Sequence, residues 1–229
     1  MGTPITGISS MATRALLADL TSAYQAQQGV QVLITSVGGV DAAKRVQAGE
    51  AFDLVVLASD AVDRLISSGQ VVAGSRVDLV QSGVAVAVPA GAALPDISSE
   101  DAVRNAVLSA RKIGYSTGPS GQQLVKLFDR WGITAAVQSR TVQAPPGVPV
   151  AALVARGEVD LGFQQLSELL HVPGIAIVGP LPPAIQINTT FSAGLCVASA
   201  QAPAVRALLG FLASPATAAA KRKQGMDPA

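Results

Sequence analysis

The chain has 229 residues, 49% of them apolar but only 3% aromatic, with 14% charged side chains and a formal net charge of +1. That length allows one or two domains with a proper core. The near-neutral charge and the lack of basic stretches with interleaved aromatics argue against nucleic acid as a partner, and no apolar run of about 18 residues predicts a membrane span.

In chain order, Ile5–Ile8 reads as a short strand followed by Ser9 and Ser10. Leu16, Leu17, Leu20 and Tyr24 then mark an amphipathic helix over Met11–Tyr24, closed near Gly29. Val30–Thr35 is a β-rich run, Ser36–Gly39 a glycine turn, and Asp41–Ala48 a second helix, marked by Val40, Ala43 and Val46 and ending at Gly49. Phe52–Ala58 is almost wholly apolar, as expected of a parallel strand covered on both faces. Ala61–Ser68 is a third helix with Val62, Leu65 and Ile66 inward, stopped by Gly69. The first 70 residues thus predict a β-α-β-α-β-α layer.

Val77–Val88 is extended and too long for one ordinary strand of about 5–6 residues. It reads as a crossover out of the first lobe. A second β/α set follows: helix Ser99–Ser109, strand Lys112–Tyr115, a helix after the Ser116–Gly121 turn, an extended segment ending at Thr141 and Val142, and a turn at Ala144–Gly147. Helix Val150–Ala155, strand Val159–Gln164, a short helix Leu166–Leu170, strand Ile175–Gly179 and a rigid Leu181-Pro-Pro turn complete it. Ile187–Val197 reads as the return crossover, and Pro203–Ala213 and Ala216–Gln224 as terminal helices packed on the first lobe through Val205, Leu208, Leu209 and Leu212. The expected lobes are residues 1–82 with 188–229, and residues 83–187, with a ligand cleft between them.

Open α/β sheets bind ligands at the carboxyl ends of their strands. Those ends carry Ser9-Ser10, Gly38-Gly39, Ala58-Ser59, Ser116–Gly121 and Gln164-Gln165, small or polar but uncharged. Ser120 and Gln123 fit a capping box. A helix start opened by Gly and Ser offers free N–H groups and a positive dipole end to an anion.

The order of these motifs resembles the type II periplasmic solute-binding proteins of ABC importers, most of all the molybdate-binding branch. The stretches that carry the resemblance are Ile8–Gln25, Ser36–Ser59, Gly83–Ala92, Ile113–Leu124, Leu153–Phe163 and Ala207–Met226. It implies a bilobed α/β fold, two β/α lobes joined by two extended crossovers. A small anion would be held by Ser9, Ser10, Met11, Gly38, Gly39, Val40, Ser59, Tyr115, Ser116, Ser120, Gly121, Gln164 and Gln165. It further implies a periplasmic, monomeric protein with no cofactor or metal, a signal peptide already removed ahead of Met1-Gly2-Thr3-Pro4, and an ABC permease as partner.

Two positions depart from the branch. Its second serine is replaced by Gly39 or Val40, and its late tyrosine by Gln164-Gln165. A lost hydroxyl in a buried polar site costs roughly 1–3 kcal/mol when the ligand group stays unpaired. Weak molybdate binding is therefore expected, in a pocket remade for a larger, flatter organic acid. The branch also includes aconitate-isomerase-like members, so a second expectation is an isomerase moving a proton between allylic carbons in the same cleft.

Several residues carry plainer readings. Cys196, the one cysteine, is expected as a buried thiol, and His171, the one histidine, as a surface-turn residue. Asp41 complements a helix dipole, with a base as its other reading. Arg14 is the cation that a tricarboxylate would want near the cleft, while Lys44 and Arg45 read as solvated. Tyr115 either walls the pocket or packs in the core. Gln164 and Gln165 alternate sides of a strand, so one of them is expected to face the ligand. The GPSGQ turn lacks the lysine of a nucleotide P-loop.

Overall fold

The structure, a computed structural model, describes residues 3–145 and 147–229. Pro146, inside the turn expected at Ala144–Gly147, lies outside them, as do Met1 and Gly2. The chain divides into two compact units: residues up to Ser82 together with Thr189–Ala229, and Gly83–Asn188.

The first unit opens with β1 (Ile5–Ser10), a 3-10 turn at Met11–Thr13 and α1 (Arg14–Gln28). Then come β2 (Val32–Val37), α2 (Gly39–Gln47), β3 (Leu54–Ala58), α3 (Ser59–Ser67) and the start of β4 (Val77–Pro89). β1 runs parallel to both β2 and β3, with Ser9 opposite Ser36 on one side and Val56 on the other. The carboxyl ends of the three strands therefore share one edge.

β3 explains its own composition. Leu54 and Val56 pack into a cluster with Leu16, Leu17 and Leu20 of α1, while Val55 and Leu57 pack with Ala42, Val46, Val62 and Leu65 of α2 and α3. A strand covered on both faces has no polar side to show. Gly29 ends α1 at a positive φ of 67°, a backbone state that glycine reaches without steric cost.

In α2, Ala42 and Val46 are buried, while Val40, at the helix start, is 43% exposed. The helix starts at Gly39 rather than Asp41. Val40 and Val46 are six residues apart, which sets them about 120° from one another around the helix. Ala42 lies one turn before Val46 and shares its face. In α3, Val62 and Leu65 are buried and Ile66 is half-buried.

The stretch expected to be too long for one strand is one strand. The 13 residues of β4 serve the two units in turn: Val80 and Gln81 pair with Pro228 and Asp227, and Val84–Ala87 pair antiparallel with residues 162–165.

The second unit continues with α4 (Glu100–Ser109), β5 (Ile113–Tyr115), α5 (Pro119–Arg130), α6 (Thr134–Val137) and β6 (Thr141–Gln143). α7 (Val150–Ala155), β7 (Leu161–Gln165), α8 (Leu166–Leu169) and β8 (Ile175–Pro180) follow. β5 lies parallel between β6 and β7, and β4 pairs antiparallel with β7 and β8. Leu124, Leu127 and Phe128 of α5 pack on Ile113, Leu161 and Phe163. β9 (Asn188–Leu195), antiparallel to β3, leads back to the first unit, which α9 (Ala202–Ala213), α10 (Ala218–Lys223) and β10 (Asp227–Pro228) complete. Val205, Leu208, Leu209 and Leu212 of α9 join the α1 cluster.

Candidate functional site

In the first unit three strand ends pass directly into helical turns. At the end of β1, Ser9 and Ser10 point to opposite faces. Ser9 is fully buried, its Oγ 2.8 Å from Ser36 Oγ, so it ties β1 to β2. Ser10 caps the Met11–Thr13 turn: its Oγ accepts from Ala12 N at 3.3 Å. A Cβ added at Gly39 would sit 3.6 Å from that hydroxyl. Ser10 and the start of α2 are thus neighbours. α2 and α3 begin behind Gly38 and Ala58, and neither has a side-chain cap. The first N–H groups of an uncapped helix have no intrahelical partner. Those of Gly39, Val40 and Asp41 come before Ala42 N, which reaches Gly38 O.

Arg14 opens α1 and is exposed, with no ion-pair partner among the described residues. With Thr35 and Ser36 it lines a groove of about 550 Å³ along α1 and β2. Arg45, by contrast, is engaged: its Nε donates to Glu50 Oε2 at 2.6 Å, and its guanidinium lies over the Phe52 ring.

In the second unit, Tyr115 packs half-buried against the α5 cluster. The expected capping box does not form. α5 starts at Pro119 behind Gly118, because proline's fixed φ suits the first helical position. Ser120 is then the second helical residue, its Oγ 3.3 Å from Ser116 Oγ. This helix start also lacks a side-chain cap. Gly121 is required by close approach: a Cβ there would fall 1.9 Å from the Ser116 carbonyl oxygen.

At the end of β7, Gln164 and Gln165 are each only 3% exposed. Gln164 Oε1 accepts Ala151 N in the first turn of α7 at 2.9 Å, and its Nε2 donates to Glu168 Oε1 at 2.9 Å. The first bond fixes which way the amide points. Burial pushes the Glu168 carboxyl up to about 7, and the Gln164 hydrogen bond offsets only part of that. Among the described residues, no group of three or more His, Cys, Asp or Glu could hold a metal ion.

Residues 5–227 match the family model of the bacterial extracellular solute-binding proteins. The chain belongs to that family. It is 40% identical, over 99% of its length and 88% of the relative's, to an aconitate isomerase from a Pseudomonas species. Two solved structures share the fold. The periplasmic molybdate-binding protein of Azotobacter vinelandii is 20% identical, with a TM-score of 0.80 over 97% of this chain and 98% of the other. The sulfate-binding protein of Mycobacterium tuberculosis is 18% identical, with a TM-score of 0.78 over 99% and 87%. This is the bilobed type II periplasmic-binding-protein architecture.

In this solute-binding protein, Cys196 is buried and its thiol is pushed up to about 12, first by burial and then by Asp53. His171 is exposed beyond α8. No helix among the described residues is long and apolar enough to cross a membrane. Sequence reasoning missed Glu168. One signal was present: no lysine or arginine lies within ten residues of it.

Proposed function

We propose that this solute-binding protein takes a small organic polycarboxylate of the aconitate class, and that as a binding protein it delivers the ligand to an ABC permease. The observation that carries the reading is the pair of uncapped helix starts in the first unit, α2 and α3, each of nine residues and each at the carboxyl end of a parallel strand. Their N–H groups favour a carboxylate as they would an inorganic oxyanion. Two features favour the larger ligand. Gly39 leaves the space beside the Ser10 hydroxyl open, and Arg14 offers a permanent charge in the groove it shares with Ser36. The aconitate-isomerase relative supports the ligand class.

A thermal-shift panel tests this. Aconitate and citrate are expected to raise Tm, with molybdate, tungstate and sulfate giving little. A response to the inorganic oxyanions alone would overturn it.

One observation favours a second reading, isomerisation of the bound acid. Glu168 is a carboxyl that burial raises to about 7, hydrogen-bonded to the neutral Gln164 amide and in no ion pair among the described residues, the condition a proton-transfer group needs. Purified protein added to cis-aconitate is expected to drive the absorbance toward that of the cis/trans mixture. No change over hours at micromolar protein would dismiss this reading.

A further inference from the structure

We infer that Glu168 is the general base that carries the allylic proton and that Gln164 is the residue that positions it, an inference that rests on the isomerase reading. The chain has four glutamates. Glu50, Glu100 and Glu158 are each ion-paired with an arginine, namely Arg45, Arg130 and Arg156. Glu168 is held by a neutral amide, and only through Oε1. Its Oε2 accepts no hydrogen bond among the described residues. A carboxylate paired with arginine is a poor base, because the pair favours the charged form; one held by a neutral donor keeps its proton affinity.

The positioning is specific. Gln164 is buried in β7, and its Oε1 is taken by the Ala151 N–H, so only its Nε2 is free to meet Glu168. One residue before Glu168, the buried Ser167 Oγ has no hydrogen-bond partner among the described residues. Buried polar groups left without partners are rare and call for an explanation. A ligand oxygen at this turn would supply one. The elements packed around α8 bring Ala85 and Ala87 of β4 and Ala151 of α7, all apolar. Among the described residues no lysine or arginine is ion-paired with Glu168, whose carboxyl is shifted by burial and by the Gln164 hydrogen bond; the nearest titratable residue along the chain is His171, three residues further on.

The step balances without any co-reactant. The Glu168 carboxylate takes a proton from the methylene carbon. The electron pair of that C–H bond becomes the new double bond, and the old one opens toward the former vinyl carbon. Glu168 returns the proton there. The product has the same composition, and the geometry of its double bond is the one in which the former single bond was held. Exchange of the carried proton with solvent labels the new methylene.

The test uses the full chain in D₂O with cis-aconitate as substrate and tricarballylate, the saturated tricarboxylate, as a ligand that cannot isomerise. Wild type is expected to isomerise, to place deuterium on the product methylene, and to lose rate as pH falls below about 7. E168Q is expected to bind tricarballylate within about threefold of wild type and to lose isomerisation and exchange by about 10²–10⁴-fold. E168D keeps a carboxylate and regains part of the rate. Q164L is expected to lower kcat more than it raises KM and to move the acidic limb of the pH profile. An E168Q variant that isomerises with an unchanged pH profile overturns the inference while the isomerase reading stands. Parallel loss of tricarballylate binding and activity in E168Q assigns Glu168 to holding the ligand and also overturns it. A wild type that neither isomerises nor exchanges removes the isomerase reading, and the inference with it.

Discussion

Gln164 gives its amide N–H to Glu168 at 2.9 Å while its own oxygen is held by Ala151 N. The carboxyl is thereby fixed at the end of β7 by a neutral donor in apolar surroundings.

That placement has a thermodynamic consequence. Below the ordinary glutamate value of 4.5, Glu168 is protonated both folded and unfolded, and its ionisation contributes nothing. As pH rises from there to about 7, the unfolded chain ionises while the folded chain keeps its proton. Stability is lost across that window, by about 3 kcal/mol at roughly 1.4 kcal/mol per pH unit crossed. E168Q removes the loss. Urea unfolding at the two ends of the window is expected to show a variant close to wild type at the acid end and more stable than wild type at the alkaline end. Equal differences at both ends would show that Glu168 ionises freely in the folded chain.

Gly39 offers a specificity switch. Its Cβ position has ordinary van der Waals room, 3.6 Å from Ser10 Oγ. G39S is therefore expected to fold with a stability within about 1 kcal/mol of wild type. The added hydroxyl supplies a donor for a compact oxyanion and occupies space used by the larger acid. Calorimetry is expected to find tighter molybdate binding and weaker aconitate binding, and unchanged preferences would remove Gly39 from the specificity argument.

Gly121 gives the opposite outcome. A Cβ only 1.9 Å from the Ser116 carbonyl oxygen meets backbone, which cannot swing aside as a side chain can. G121A must move the start of α5. The expected cost is about 1–3 kcal/mol, read by denaturant unfolding, together with loss of ligand response. Wild-type stability in G121A would mean that the turn at Ser116–Gly121 is looser than described.

Much of this was legible in the sequence, and for physical reasons. Leu16, Leu17, Leu20 and Tyr24 repeat at helical spacing, and Gly29 stops the run. Leu54–Ala58 is apolar throughout because helices cover both faces. What failed rested on local rules that neighbouring residues override. The capping box at Ser120 and Gln123 yields to Pro119, which sets the helix start. The elements α6 and β10, of four and two residues, are too short to impose a period on the sequence. Glu168 was overlooked because its character comes from burial and from the orientation of Gln164, and neither is a property of sequence spacing alone.

The most direct test of the central claim, that the pocket takes an organic carboxylate rather than an inorganic oxyanion, is calorimetric titration of the wild-type chain with trans-aconitate and with molybdate. The account predicts saturable binding of trans-aconitate at micromolar to sub-millimolar concentration and weak or absent heat with molybdate. Submicromolar molybdate affinity without a response to trans-aconitate would contradict it.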